Sequence, residues 1–82
     1  MLIGIIDYES GNLRSVSKAV EIVGAKYVIS RDPEVIQDCD AAILPGVGSG
    51  TAAMKALRER NMVAPIKQFV DSGKPLLCIC LG

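Results

Sequence analysis

LIGIID, residues 2–7, is a continuous apolar run that ends at an aspartate. A strand covered by helices on both faces has this pattern, without the alternation of a half-exposed strand. Two further runs have the same character, AAILP at 41–45 and PLLCI at 75–79, whereas KYVIS at 26–30 predicts a more exposed strand. The sequence therefore predicts four strands, three of them buried.

Helical periodicity fills the stretches between these strands. One helix is predicted at 12–23 and stops at Gly24, and a short one has Pro33 in its first turn. Two more are predicted at 51–60 and 61–73. The residues expected on the inward faces are Leu13, Val16, Val20 and Val23 in the first helix, Ala53, Met54 and Leu57 in the third, and Ile66, Phe69 and Val70 in the fourth.

The alternation of strands and helices indicates an α/β fold with a doubly wound, mostly parallel sheet of the flavodoxin type. Right-handed crossovers predict three α/β/α layers and the strand order 2-1-3-4. Ligands bind outside the carboxyl ends of such strands, near the point where the strand order reverses. The segments YESGN (8–12), PGVGSG (45–50) and CLG (80–82) are therefore expected to converge on one edge of the sheet.

Composition excludes several classes of function. Nine basic and nine acidic residues give zero formal net charge, and the chain has one Phe, two Tyr and no Trp, so binding to nucleic acid is not expected. No apolar run approaches the roughly 18 residues that span a membrane, and the N-terminal residues, whose apolar run breaks at Asp7, are not expected to form a signal peptide. The three cysteines are an odd number without an export signal, which favours a reducing cytoplasm over a disulfide framework.

CICLG, residues 78–82, has the spacing of a nucleophile elbow between a strand and a helix. Cys80 occupies the nucleophile position, and Cys78 and Gly82 occupy the positions where the sharp turn requires small side chains. The alternative is that both cysteines are small buried hydrophobic residues. A structural zinc site needs four ligands, and a chain with three cysteines and no histidine does not supply them.

PGVGSG, residues 45–50, follows a buried strand and precedes a helix. Its spacing is G-x-G-x-G, which matches neither the G-x-G-x-x-G pattern of dinucleotide-binding proteins nor the G-K-[ST] ending of a phosphate-binding loop. The alternative to a ligand-binding loop is a tight turn. Next to a nucleophile elbow, such a loop can present a backbone N–H to a developing oxyanion, and Leu81 can present another. The third segment, DYESGNLRSV at 7–16, fits a turn in which Ser10 or Asn12 caps the next helix.

These three segments, in this order, resemble the glutaminase subunits of imidazole glycerol phosphate synthases, within the class I (triad-type) glutamine amidotransferases. The resemblance covers the whole chain. It implies that Cys80 is the nucleophile and that the N–H groups of Val47 and Leu81 form the oxyanion hole. It also implies that Gly46 and Gly48 give the substrate-binding loop its freedom. Asn12 would lie at the interface with a partner subunit.

The resemblance further implies a function. Cys80 would attack the side-chain amide of L-glutamine and form a glutamyl thioester. The released ammonia would pass to a (β/α)8-barrel cyclase subunit, which makes imidazole glycerol phosphate in histidine biosynthesis. Such a protein is a cytoplasmic heterodimer, and its glutaminase reaction requires no cofactor or metal.

Three features depart from the family pattern. Glu9 and Ser10 stand where the family more often has glycine and a variable residue, and Cys78 replaces the elbow glycine. The chain also contains no histidine, whereas cysteine hydrolysis of an amide requires a base. In the family, a His and a Glu from the C-terminal half act with the cysteine. We therefore expect residues 1–82 to be the N-terminal part of a single amidotransferase domain and to be inactive alone.

Other functions remain open at this stage. The chain could belong to the amidotransferase component of anthranilate or GMP synthesis, although GNLRSV at 11–16 argues against both. A stress-response protein with a cysteine elbow is a second alternative, with Glu9 as the acidic neighbour. A third is a non-catalytic flavodoxin-like binding module that holds a phosphate at 46–50.

Overall fold

The computed structural model of the chain describes residues 1–8, 13–46 and 50–80, without the side chains of residues 50–53 and 80. Four parallel strands form one sheet in the order β2-β1-β3-β4, which confirms the predicted α/β fold and strand order. The elements are β1 (Leu2–Ile6), α1 (Leu13–Ile22), β2 (Lys26–Ser30), α2 (Pro33–Gln37), β3 (Ala41–Gly46), α3 (Gly50–Glu59), α4 (Val63–Asp71) and β4 (Leu76–Cys80).

The strand pairing has different lengths across the sheet. β1 pairs with β2 along five residues, but its pairing with β3 stops at Ile5 and Ile43. β3 continues beside β4 for three further residues, to the pair Gly46 and Cys80. The carboxyl ends of β3 and β4 therefore extend beyond the β1–β3 ladder.

Apolar side chains cover both faces of the sheet. One cluster joins Ile5 and Ile43 of the strands to Val16 and Val20 of α1. The cluster on the other side contains buried residues from the strands, the loop after β1, α2, α3 and α4, namely Ile6, Tyr8, Ile36, Ala42, Leu57, Met62 and Phe69. Burial of one large apolar side chain contributes about 1.5–3 kcal/mol, so the two clusters hold the helices against the sheet.

Three residues predicted to face inward are exposed instead. Val23 is 77% exposed, because α1 ends one residue earlier and the side chain of Val23 does not pack against the sheet. Val70 is 47% exposed because one helical step rotates it about 100° from the buried Phe69. Met54 is 41% exposed, so part of its side chain remains covered. The side chain of Ala53 lies outside the described residues.

Local signals in the sequence account for the helix ends. Gly24 and Gly73 have φ values of 79° and 89°, which confirms their predicted role in ending α1 and α4. Before α2, the carboxylate of Asp32 accepts a hydrogen bond of 3.0 Å from the N–H of Glu34, and Pro33 lies in the first turn. None of the described helices is both long and apolar enough to cross a membrane.

Gly4 lies where β1 passes closest to the end of α2. A Cβ at this position would be 2.9 Å from Sγ of Cys39 and 3.0 Å from Cδ1 of Ile36. Cys39 itself is fully buried, and its thiol donates a hydrogen bond of 3.3 Å to the carbonyl of Val35. Burial raises the pKa of the Cys39 thiol, while the charge of Lys74 opposes this effect. A side chain at position 4 would therefore require the side chains of Cys39 and Ile36 to shift.

Gly4→Ala is expected to lower the free energy of unfolding by about 1–3 kcal/mol, because the added methyl group overpacks this contact. In a Cys39→Ala background, where Sγ is absent, the same substitution should cost about 1 kcal/mol less. Chemical denaturation of the full-length protein measures the four free energies of this cycle. An equal cost in both backgrounds would show that Sγ is not the atom that excludes a side chain at position 4.

Candidate active site

The carboxyl ends of β1, β3 and β4 lie at the same edge of the sheet, called the rim below, since all strands are parallel. The last residue of β3, Gly46, pairs with the last residue of β4, Cys80. Adjacent strands lie about 4.8 Å apart, so the backbone of Cys80 runs directly beside the start of the glycine-rich loop. Two of the three segments that were expected to converge, PGVGSG and CLG, are therefore adjacent at Gly46 and Cys80.

The remaining predicted site residues fall outside the described part of the chain. These are Asn12 in the segment after β1, Val47 and Gly48 in the loop after β3, and Leu81 after β4. The side chain of Cys80 is also outside it. The structure thus brings the backbones of Gly46 and Cys80 together, and the roles of all six residues stay predictions.

Cys78 differs from the expectation of a small buried residue. It pairs with Leu44, but its side chain is exposed, because β4 is an edge strand of the described sheet. Within the described residues this cysteine is therefore not part of the core. Among the residues described with side chains, no three His, Cys, Asp or Glu residues are grouped as metal ligands.

Sequence reasoning missed the role of Tyr8 at the rim. Its side chain is completely buried, and its hydroxyl donates a hydrogen bond to the main-chain carbonyl of Pro45. Pro45 immediately precedes Gly46, so this bond connects the end of β1 to the entrance of the glycine-rich loop. A tyrosine directly after a buried strand was the available signal, because a buried phenol requires a polar partner.

A charged pair lies at the same edge, between the ends of β1 and β2. Asp7 donates its N–H to the carbonyl of Ser30 at 3.0 Å, and its Oδ2 lies 3.4 Å from NH2 of Arg31. The Arg31 side chain is 61% exposed, so the ion pair contributes little to stability. Its position gives the rim one fixed carboxylate beside β1.

The rim offers the elements of a nucleophilic site. α3 begins at Gly50, one residue earlier than predicted, and its ten residues direct a partial positive charge towards the end that follows β3. Helix N-termini also present main-chain N–H groups to ligands. Such N–H groups stabilise the negative charge that develops when a nucleophile attacks a carbonyl.

The chain is similar to imidazole glycerol phosphate synthase subunit HisH proteins. It is 56% identical over 81 residues to the subunit from Halalkalibacterium halodurans, which covers 99% of this chain and 38% of that protein. The subunit from Thermosynechococcus vestitus is 54% identical over 80 residues, or 98% of this chain and 38% of that protein. A Bacillus cereus subunit is 49% identical over 81 residues, or 99% of this chain and 39% of the relative.

These identities agree with the resemblance that the three motifs carry, although the chain spans well under half the length of each relative. A family model supports the coarser assignment to the glutamine amidotransferases independently of any single relative. The model for the CobB/CobQ-like glutamine amidotransferase domain matches residues 8–82, which include the rim segments after β1, β3 and β4. The chain therefore belongs to the family of CobB/CobQ-like glutamine amidotransferase domains.

Proposed function

We propose that this chain carries the nucleophile of a glutaminase that supplies ammonia to imidazole glycerol phosphate synthesis. The pairing of Gly46 with Cys80 supports this proposal most directly, because it sets a thiol-bearing residue beside a glycine-rich backbone loop. The family match and the names of the HisH relatives support the substrate and the pathway. L-Glutamine is the substrate, and histidine biosynthesis is the pathway.

In the proposed reaction, the thiolate of Cys80 attacks the side-chain amide carbon of glutamine. The N–H groups of Val47 and Leu81 stabilise the resulting oxyanion, while Gly46 and Gly48 allow the loop to approach the substrate. The C–N bond then breaks, and the leaving nitrogen takes a proton and departs as ammonia. Water hydrolyses the thioester to glutamate and restores the thiol. These steps require no metal or cofactor.

The proposed reaction requires a general base, and residues 1–82 contain no histidine that could act as one. A base must take the thiol proton and deliver a proton to the leaving ammonia. We place this base, and the acidic residue that orients it, in a further part of the same domain. The shares of 38% and 39% of the relatives' lengths support this placement. Residues 1–82 alone would then be inactive.

The proposal includes a partner. The relatives are named as subunits of a synthase, and we infer that this protein assembles with a (β/α)8-barrel cyclase that receives the ammonia. The segment around Asn12 follows β1 at the rim, so it is the candidate contact with that barrel. We also propose a cytoplasmic location, which the free thiols of Cys39 and Cys78 support.

A diazo-ketone analogue of glutamine tests the proposed function. The full-length protein, with the cyclase subunit present, should release glutamate from glutamine and should be inactivated by the analogue. Peptide mapping by mass spectrometry should then find one covalent adduct on Cys80, and free glutamine should slow its formation. The amidotransferases of anthranilate and GMP synthesis would give the same adduct, so activation by the cyclase is the measurement that identifies the pathway.

Two internal controls belong to this experiment. Cys78 is exposed and lies on the same strand, while Cys39 is buried, so labelling of Cys78 alone would indicate a general thiol reaction. An absence of adduct, together with bound flavin or phosphate, would contradict the enzyme and support a binding module at 46–50.

A further inference from the structure

The strand end that carries Gly46 is held by the side chain of Tyr8, which follows β1. The hydroxyl of Tyr8 donates to the carbonyl of Pro45, and the next residue, Gly46, pairs with Cys80. We propose that Tyr8 is a positioning residue for amide hydrolysis. It fixes the peptide between Pro45 and Gly46 and thereby the start of the glycine-rich loop, which carries a proposed oxyanion donor. This inference rests on the proposed glutaminase function.

The pairing pattern explains why a side chain is needed at this point. In parallel strands, successive residues direct their main-chain groups to opposite neighbours. Ala42 donates its N–H to Pro75 at 3.1 Å, towards β4, so Leu44 and Gly46 also face β4. Pro45 consequently directs its carbonyl towards β1, and that carbonyl lies beyond the last β1–β3 pair, Ile5 and Ile43.

The proline ends the main-chain ladder between β1 and β3 at this point. The next pair along β1 and β3 would be Ile6 and Leu44, and it would require a hydrogen bond from the N–H of residue 45 to the carbonyl of Ile6, which a proline cannot donate. The phenol of Tyr8 supplies the donor for the Pro45 carbonyl instead. The peptide that enters the loop is therefore held from both sides, by Tyr8 on the β1 side and by the pairing with β4 on the other.

Burial makes the Tyr8 hydroxyl a rigid support. The side chain is 0% exposed and belongs to the cluster that contains Ile6, Met62 and Phe69. Tightly packed rings have few alternative rotamers, so the direction of the hydroxyl is set by the core and not by solvent. A change in the packing of this cluster would consequently move the Tyr8 hydroxyl, which holds the carbonyl of Pro45.

The chemistry of the proposed site is sensitive to such a movement. An oxyanion donor must lie about 2.7–3.1 Å from the developing negative charge. Small displacements of the donor therefore reduce the stabilisation of the transition state more than the binding of the substrate. The first loop residue after Gly46 is Val47, the proposed donor. Loss of the Tyr8 bond should therefore lower kcat and leave KM nearly unchanged.

Tyr8→Phe in the full-length protein with its cyclase subunit tests the inference, because it keeps the buried ring and removes only the hydroxyl. We expect kcat for glutamine hydrolysis to fall about tenfold, with KM within about twofold of the unmodified protein. The rate at which iodoacetamide alkylates Cys80 should stay within about twofold, since this simple displacement uses no oxyanion hole. Hydrogen exchange of segment 44–50 should become faster.

Tyr27→Phe is the matched control. The hydroxyl of Tyr27 donates to Oε1 of Glu21 at 2.5 Å, on β2 and outside the strands that form the candidate site. This variant also loses one tyrosine hydrogen bond, and its kcat should stay within about twofold of the unmodified protein. A similar fall in kcat in both variants would mean that general destabilisation, and not positioning, causes the effect.

The remaining outcomes separate the two proposals. If the unmodified protein hydrolyses glutamine and Tyr8→Phe has an unchanged kcat, the positioning role is overturned while the glutaminase stands. If Tyr8→Phe raises KM and lowers the alkylation rate of Cys80 to the same extent as kcat, the role is only structural, and the inference is also overturned. If the unmodified protein hydrolyses no glutamine but exchange at 44–50 still responds to the substitution, the proposed function fails, and the catalytic inference fails with it.

Discussion

A Cys80→Ala variant of the full-length protein is expected to lose glutaminase activity by a factor on the order of 10⁴ or more, because the thioester requires this sulfur. No other described thiol can replace it. Cys39 is completely buried beside α2, and Cys78 lies two residues earlier on β4. The rate of glutamate formation with the cyclase subunit present measures the loss. The variant should still bind glutamine, since the backbone of the loop after β3 is unchanged.

Cys78→Ala is the control for this prediction. Its side chain is exposed and it pairs with Leu44, so its removal leaves the Gly46–Cys80 pair in place. We expect activity within about threefold of the unmodified protein, because a smaller side chain also suits the tight turn of an elbow. Equal losses in the two variants would contradict the assignment of Cys80 as the nucleophile.

Phe69→Ala is expected to lower the free energy of unfolding by about 3–5 kcal/mol. Phe69 is 1% exposed and belongs to the cluster that joins α2, α3 and α4 to the sheet, so its removal leaves a cavity in that cluster. Nζ of Lys74 also lies 5.4 Å from the centre of its ring, and this cation–π contact is lost as well. Denaturant titration of the full-length protein, followed by circular dichroism, measures the change.

The neighbouring residue on α4 provides the comparison. Val70 is 47% exposed, so Val70→Ala loses little buried surface and gains helix propensity, and its net effect should be within about 0.5 kcal/mol of zero. If both substitutions destabilise the protein equally, the cluster around Phe69 is not the main contact of α4. Because total stabilities are about 5–15 kcal/mol, loss of Phe69 should also reduce the yield of folded protein.

Most of the fold could be predicted from local patterns. Buried parallel strands are uninterrupted apolar runs, and glycines with positive φ end the helices, so LIGIID and Gly24 were sufficient signals. Right-handed crossovers then leave few strand orders. Exposure within a helix was less predictable. Val23 and Val70 are exposed although they are apolar like their buried neighbours. Only the position of the sheet decides which apolar side chains of a helix are covered.

The candidate site was predictable to a smaller extent. The spacing around Cys80 and the resemblance to amidotransferases identified the rim before any geometry was considered, and the pairing with Gly46 then provided a physical connection. The contribution of Tyr8 depends on a bond between residues 37 positions apart. No periodicity in the sequence reports such a contact. It follows from where two strands end relative to each other, which is a property of the assembled sheet.

Pro45 has a consequence for the length of a neighbouring strand. Without an amide proton at this position, the carbonyl of Ile6 receives no donor from β3, so a continued β1–β3 ladder would form one hydrogen bond fewer. An imino acid on one strand therefore shortens the ladder with its neighbour on the β3 side, while the N–H of Asp7 still donates to the carbonyl of Ser30 on the β2 side. Pro45→Ala would restore the missing N–H and favour an extension of β1 by two residues. The main-chain N–H of Tyr8 would then compete with the Tyr8 hydroxyl for the carbonyl of residue 45.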